Sequence, residues 1–284
     1  MSDSSWSFVS ALIALAQLAT SAGLAADPAP QYPLAIAVAP EGAVYLADRN
    51  LPGVWKITDD KLTLFHQASK KFRTPLNAIR CLAIDKEGRL LAGDSATRDV
   101  YRFNADGQPE PLTKGGIGIP MAIAVDAQGD IFVADLELHR IVKVPAAGGE
   151  PTVAVAVPAP RGLTIDAEQR LWVVSHGPDQ LLRVSPDGQT RDVIVTGRPF
   201  SFPHHLVLDG DGAAFVVDGY LPGVWKVPPG QMPEKWQSGD PFRNPVGIAR
   251  AGDKLLVVDP RAQTLFTLDA AGKVVGTRSL TPMP

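Results

Sequence analysis

From Pro33 onward one unit recurs six times: an apolar strand, a tight turn, a second apolar strand and, in five of the six copies, a final Asp. The copies read PLAIAVAPEGAVYLAD (33–48), IRCLAIDKEGRLLAGD (79–94), PMAIAVDAQGDIFVAD (120–135), PRGLTIDAEQRLWVVS (160–175), PHHLVLDGDGAAFVVD (203–218) and PVGIARAGDKLLVVD (245–259). Their starts lie 46, 41, 40, 43 and 42 residues apart. A period of about 40–45 residues that carries several short strands is the signature of a β-propeller blade. The fold expected is therefore all-β: one six-bladed propeller of four-stranded antiparallel blades over residues 26–284.

The third copy shows how a blade is built. Ala122–Val125 and Ile131–Ala134 are read as its first two strands, with 139–144 and 151–155 as the third and fourth. Each run is short, bounded by Gly, Pro or Asp, and apolar enough to be covered on both faces. Asp85…Gly88, Asp126…Gly129 and Asp209…Gly212 suit tight turns, because Asp bonds the backbone two residues on and Gly accepts positive φ. Aligning the copies gives a large aliphatic column, Ile36, Leu82, Ile123, Leu163, Leu206 and Ile248. Beside it runs a smaller one, Ala37, Ala83, Ala124, Thr164, Val207 and Ala249. Alternation of this kind lets neighbouring blades interlock. Each repeat holds all four of its strands, so no strand exchange is expected between blades 1 and 6.

A net charge of −3 leaves no basic footprint for nucleic acid. The single cysteine, Cys81, excludes an internal disulfide and a cysteine-based zinc cluster, and its strand position suits a small buried hydrophobe. Residues 1–25 stand outside the repeat. Phe8 to Leu18 is apolar except for Ser10 and Gln17, and small residues lead on to Ala25. This reads as a signal peptide cleaved after Ala25, although residues 1–7 lack the usual Lys or Arg and carry Asp3. The expectation is a secreted or periplasmic protein with no membrane span after removal of that leader.

The strings IAVDAQGDIFVAD (123–135) and HRIVKV (139–144) resemble the NHL repeat, and all six copies match it in outline over about residues 33–280. The fourth departs, with Ser175 for the final Asp and Gln169 for the turn Gly. The resemblance implies a six-bladed propeller and leaves function open, because such propellers serve several chemistries. Gluconolactonase and regucalcin-like propellers are more distantly similar. They imply a divalent metal held by a Glu of the first blade and Asn or Asp of others. Here the first blade opens with Leu34-Ala35, Glu41 lies at the opposite end, and Arg161-Gly162 stands where an Asn would be; only Asn77 and Asn244 fall in loops leading to the channel. Similarity to the amidating-lyase propeller, which uses channel histidines for zinc, directs attention to the histidines.

Ligands of propellers gather where several blades converge on the channel mouth. The residues opening the six first strands are Leu34, Arg80, Met121, Arg161, His204 and Val246. Two guanidiniums and an imidazole among apolar equivalents suit a carboxylate or phosphate. His205 stands in a column otherwise filled by Ala35, Cys81, Ala122, Gly162 and Gly247. His139 and His176 fall between strands two and three on the same face, so His139, His176, His204 and His205 are the metal-ligand candidates, three imidazoles being a zinc-binding set. Phe72, Phe200 and Phe242 repeat the spacing Phe-x-x-Pro, a pattern that suits plugs for the seams between blades. Trp55 and Trp225, in the string LPGVWK at 51–56 and 221–226, are read as core.

The first functional reading is a binding module that presents Arg80, Arg161, His204 and His205 to a small anionic ligand or a protein partner. The alternative is a metal-dependent hydrolase or lyase sited in the channel. A third is a purely structural propeller with its mouth closed by the three phenylalanines. No catalytic residue can be named and no cofactor is evident beyond the divalent metal of the second reading. The oligomeric state is not encoded in any recognised motif.

Overall fold

A computed structural model describes residues 29–281, so the leader-like segment 1–25 lies outside the described residues. Six sheets, each of four strands in consecutive order, are arranged in a ring. Blade 1 spans 33–67, blade 2 79–111, blade 3 120–156, blade 4 160–195, blade 5 203–238 and blade 6 247–279. The strands at the axis are Pro33–Val38, Ile79–Ile84, Pro120–Val125, Pro160–Ile165, Pro203–Leu208 and Gly247–Ala251. Each pairs on one side only, with the second strand of its own blade. Its other edge therefore faces the channel and supplies unpaired backbone groups to it.

The large aliphatic column is buried throughout: Ile36, Leu82, Ile123, Leu163, Leu206 and Ile248 are all 7 % exposed or less. These side chains fill the seams between blades, where each fully buried aliphatic contributes about 1.5–3 kcal/mol. Phe200 and Phe242 plug seams as expected, but Phe72 is 75 % exposed and only its neighbour Arg73 lies over the ring. Trp55 is core, whereas Trp225 is half-buried under Lys235. Cys81 is buried, and burial pushes its thiol up to about 12.

Among the described residues no strand is exchanged to close the ring. Side chains join blade 6 to blade 1 instead. The Gln263 amide donates to the Gln31 carbonyl at 2.7 Å, and Arg278 Nη2 donates to the Asp60 carbonyl at 2.7 Å. One apolar cluster, including Ile36, Leu46, Trp55, Leu256 and Leu280, runs across the junction.

The final Asp of the repeat is the fastener of the mouth face. Asp48, Asp94, Asp135, Asp218 and Asp259 are all 1 % exposed or less. Asp218 accepts N–H groups of Ser201 (2.7 Å) and Phe202 (2.9 Å) from the loop leading into blade 5. It also accepts those of Tyr220 (3.0 Å) and Leu221 (3.1 Å) from the loop after strand two. A buried carboxylate is tolerated because several backbone donors satisfy it. In blade 4 the work is divided. Ser175 Oγ donates to the Pro158 carbonyl at 2.6 Å, while buried Gln180 accepts from Phe200 N and donates to its carbonyl. Gln169 holds φ +63° in the turn where other blades use Gly, so the blade departs in sequence and keeps its shape.

Candidate functional site

The fasteners decide where the mouth residues stand. Asp94 accepts the amides of Leu76 and Ala78 on one side and of Ala96 and Thr97 on the other, which frames Arg80. Arg80 Nε donates to Ser95 Oγ at 3.1 Å, and its guanidinium is half-buried. Asp218 fixes Phe202, on whose ring the Arg161 guanidinium lies 5.2 Å from the centroid. Arg161 Nε is buried and has no hydrogen-bond partner.

A cavity of about 110 Å³ opens at this face. Its walls include Arg49, Arg80, Tyr32, His204 and His205, and the apolar Leu34, Met121 and Val246. Arg49 belongs to the loop after strand two of blade 1, not to a first strand. Arg80 has its pKa lowered by burial, then by the charge of Arg49, with Asp94 opposing. Arg161 is lowered by burial and then by Arg80. The charge of Arg80 is thus felt at Arg161, and that of Arg49 at Arg80. Among the described residues none of the three is in a salt bridge, whereas Arg89, Arg98, Arg102, Arg140, Arg170, Arg183 and Arg278 each have an acidic partner. The acids nearest the mouth are the fasteners, already engaged by backbone amides.

The histidines separate into different roles. His204 meets the Phe202 edge at 5.0 Å, and burial followed by the charge of Arg161 brings its pKa down to about 4. Gly219 makes room for it: a Cβ there would lie 2.8 Å from both His204 Nε2 and Asn244 Oδ1. Asn244 in turn donates to Tyr32 Oη at 3.3 Å. His176 packs on the other side of Phe202, with ring centroids 4.5 Å apart, and donates from Nε2 to the Pro203 carbonyl at 2.8 Å. Burial, then the neighbouring arginines, lowers its pKa against that carbonyl. His205 is directed inward, in the wall of the channel, with a pKa of about 4 caused by burial. His139 is exposed, holds φ +54° and accepts the Ala159 amide at Nδ1 (3.1 Å), so it serves its own loop.

The structure therefore brings Arg80, Arg161 and His204 to one mouth, with His205 at its floor. It does not bring the four histidines to one point. Among the described residues no three His, Cys, Asp or Glu side chains are grouped as a metal site. Phe202 separates His176 from His204, and the cavity wall carries no carboxylate. A divalent metal of the kind the gluconolactonase-like resemblance implies has no fitting donor set here, since such ions need oxygen or neutral nitrogen ligands rather than guanidiniums. The three phenylalanines do not close the mouth either: Phe200 packs against Trp225 and Phe242 against Phe266, both in seams. Arg49, Tyr32 and Phe202 are the mouth residues that a reading of the first-strand positions misses. Arg49 could have been found, because it follows a fastener Asp in the same loop that carries His139 and His176 in blades 3 and 4.

Comparison with known proteins accords with this architecture. The sequence model of the SMP-30/gluconolactonase/LRE-like region matches residues 27–211. No curated protein matches the chain. Virginiamycin B lyase from Staphylococcus aureus superposes with a TM-score of 0.68 at 18% identity, covering 88% of this chain and 85% of that one. A gluconolactonase from Xanthomonas campestris gives 0.70 at 17% identity, over 82% and 84%. A chain of a nidogen–laminin complex gives 0.70 at 19% identity, over 84% and 92%. These likenesses concern the fold alone.

Proposed function

The chain belongs to the SMP-30/gluconolactonase/LRE-like family, and on that premise we propose that it binds a small organic anion at the channel mouth. The ligand's carboxylate or phosphate is engaged by Arg80 and Arg161, with Arg49 adding to the field, while its apolar part rests on Leu34, Met121 and Val246. The observation that carries this reading is a pair of guanidiniums, Arg49 and Arg80, lining one cavity without a salt-bridge partner among the described residues, with Arg161 beside it on Phe202 carrying a buried, unpartnered Nε. Planar guanidinium forks match carboxylate and phosphate oxygens in pairs. A charge-assisted hydrogen bond is worth about 1.5–3 kcal/mol, or roughly 10- to 150-fold in affinity. Titration calorimetry with acetate, longer carboxylates and inorganic phosphate should show saturable binding that weakens at least roughly tenfold in Arg161→Met and Arg80→Met. Binding of none of these anions, or equal binding by a variant carrying both Arg80→Met and Arg161→Met, would overturn the proposal.

A second reading, a hydrolase or lyase, is favoured by His204. It is uncharged at neutral pH and shares Phe202 with Arg161, so it can take a proton from a ligand whose anionic group Arg161 holds. A gluconolactonase and virginiamycin B lyase are among the structural neighbours, and one form of that lyase with a histidine replaced by alanine is catalytically inactive. Turnover of a gluconolactone or of quinupristin that disappears in His204→Gln would favour catalysis over binding alone. Turnover unchanged in that variant would remove His204 from consideration.

A further inference from the structure

Beneath the mouth the channel continues. A second chamber of about 320 Å³ opens at the opposite face, walled mostly by aliphatic side chains from all six blades, among them Val38, Ile84, Leu163 and Ile165, with Thr164 and Arg250 also in its lining. The two chambers abut across a single layer, since Ile36, Leu82, Ile248 and His205 line both. Three of these four belong to the aliphatic column that every blade carries. His205 does not: its equivalents are Ala35, Cys81, Ala122, Gly162 and Gly247, none of which extends past its second side-chain atom. The imidazole is thus the one ring placed in a column of small residues, at the level where the chambers meet.

Its surroundings argue against a role in holding the fold. Nδ1 is buried and has no hydrogen-bond partner among the described residues. A buried polar atom without a partner opposes folding, so a structure that keeps one at a functional opening calls for another explanation.

We propose that His205 is a specificity-determining residue: it closes the channel below the mouth and thereby limits the length of the anion accepted there. The inference rests on the anion-binding reading of the mouth. With the imidazole in place, a chain attached to the bound carboxylate ends against it. With the imidazole removed, the chain passes Ile36, Leu82 and Ile248 into the lower chamber and buries methylenes against its aliphatic wall.

Straight-chain carboxylates from acetate to octanoate, titrated calorimetrically into wild type and His205→Gly, test this directly. Affinities are read relative to acetate in each protein, so that a change common to every chain length cancels. Longer chains should gain affinity in His205→Gly by about fourfold per methylene that enters the lower chamber, and gain nothing comparable in wild type. His205→Ala, another residue of the same column, repeats the test should the glycine variant not fold. A purely structural role would shift thermal midpoints without changing the order of preference among chain lengths. Identical chain-length profiles in wild type and variants, with acetate still bound, would overturn the role of His205 and leave the mouth reading standing. Absence of binding for every chain in every protein would overturn both.

Discussion

Lowering the pH from 7 to 5 should cost this propeller about 2 kcal/mol through His204 and His205 alone. Both rings sit near pKa 4 in the folded chain against an ordinary value of 6.5, chiefly because burial disfavours the imidazolium. Between those two values the unfolded chain takes up protons that the native one refuses. Stability therefore rises with pH across this window; it is complete above 6.5 and is lost as the pH falls toward 4. Integrating from pH 7 to 5 gives about 2 kcal/mol per histidine at full burial. Both rings keep some surface toward the channel, where water screens the charge, so about half of that, roughly 1 kcal/mol each, is expected.

The assay is urea unfolding at pH 7 and pH 5, in wild type and in His204→Gln/His205→Gly. Carboxylates also titrate in this range, so the informative quantity is the difference between the two proteins. With a denaturant slope of roughly 3 kcal/mol/M, the wild-type midpoint should fall by roughly 0.7 M more than that of the double variant. An equal fall in both would refute the reasoning, and would mean that channel water solvates these imidazoles fully.

Four further outcomes follow from the packing and hydrogen bonds described above. Asp218→Asn replaces one acceptor oxygen with a donor facing backbone N–H groups, and should destabilise by about 2–3 kcal/mol in thermal or urea unfolding. Ser175→Ala, which leaves the Gln180 contacts of blade 4 intact, should cost only about 1 kcal/mol. Gly162→Ala should destabilise by about 1–3 kcal/mol, because the new Cβ meets the His205 backbone rather than a yielding side-chain end. Cys81 should resist a thiol reagent in native buffer and react only when urea unfolds the chain, since it is buried with its pKa near 12.

The fold was legible because a blade is local: all four strands of each sheet come from one repeat, so periodicity alone specifies the pairing. The turn aspartates also behave as read, Asp126 accepting the amides of Gln128 and Asp130, and Asp209 those of Asp211 and Ala213. What the repeat does not disclose is how loops from adjacent blades combine. Phe72 and Phe200 share the Phe-x-x-Pro spacing, yet only Phe200 has a seam to enter. His139 and His176 fall at related places, and short hydrogen bonds within their own surroundings direct them away from a shared centre. Arg49 reaches the cavity from a loop that a column of first-strand residues omits.

Symmetry also explains where the chemistry lies. A residue common to all six blades would surround the axis with identical groups, and here those common residues are aliphatic or small. The mouth acquires polarity only where blades depart from the pattern: Arg49 in blade 1, Arg80 in blade 2, Arg161 in blade 4, and His204 with His205 in blade 5. The carboxylates that would neutralise this charge are present once per blade in all but the fourth. They are held below the surface by loop amides, as Asp94 and Asp218 show. The same hydrogen bonds therefore do two things at once. They position Arg80 and the Phe202 ring under Arg161, and they occupy the acids that could otherwise have paired with those guanidiniums. A cationic mouth on a chain whose net charge is −3 is the consequence of that arrangement.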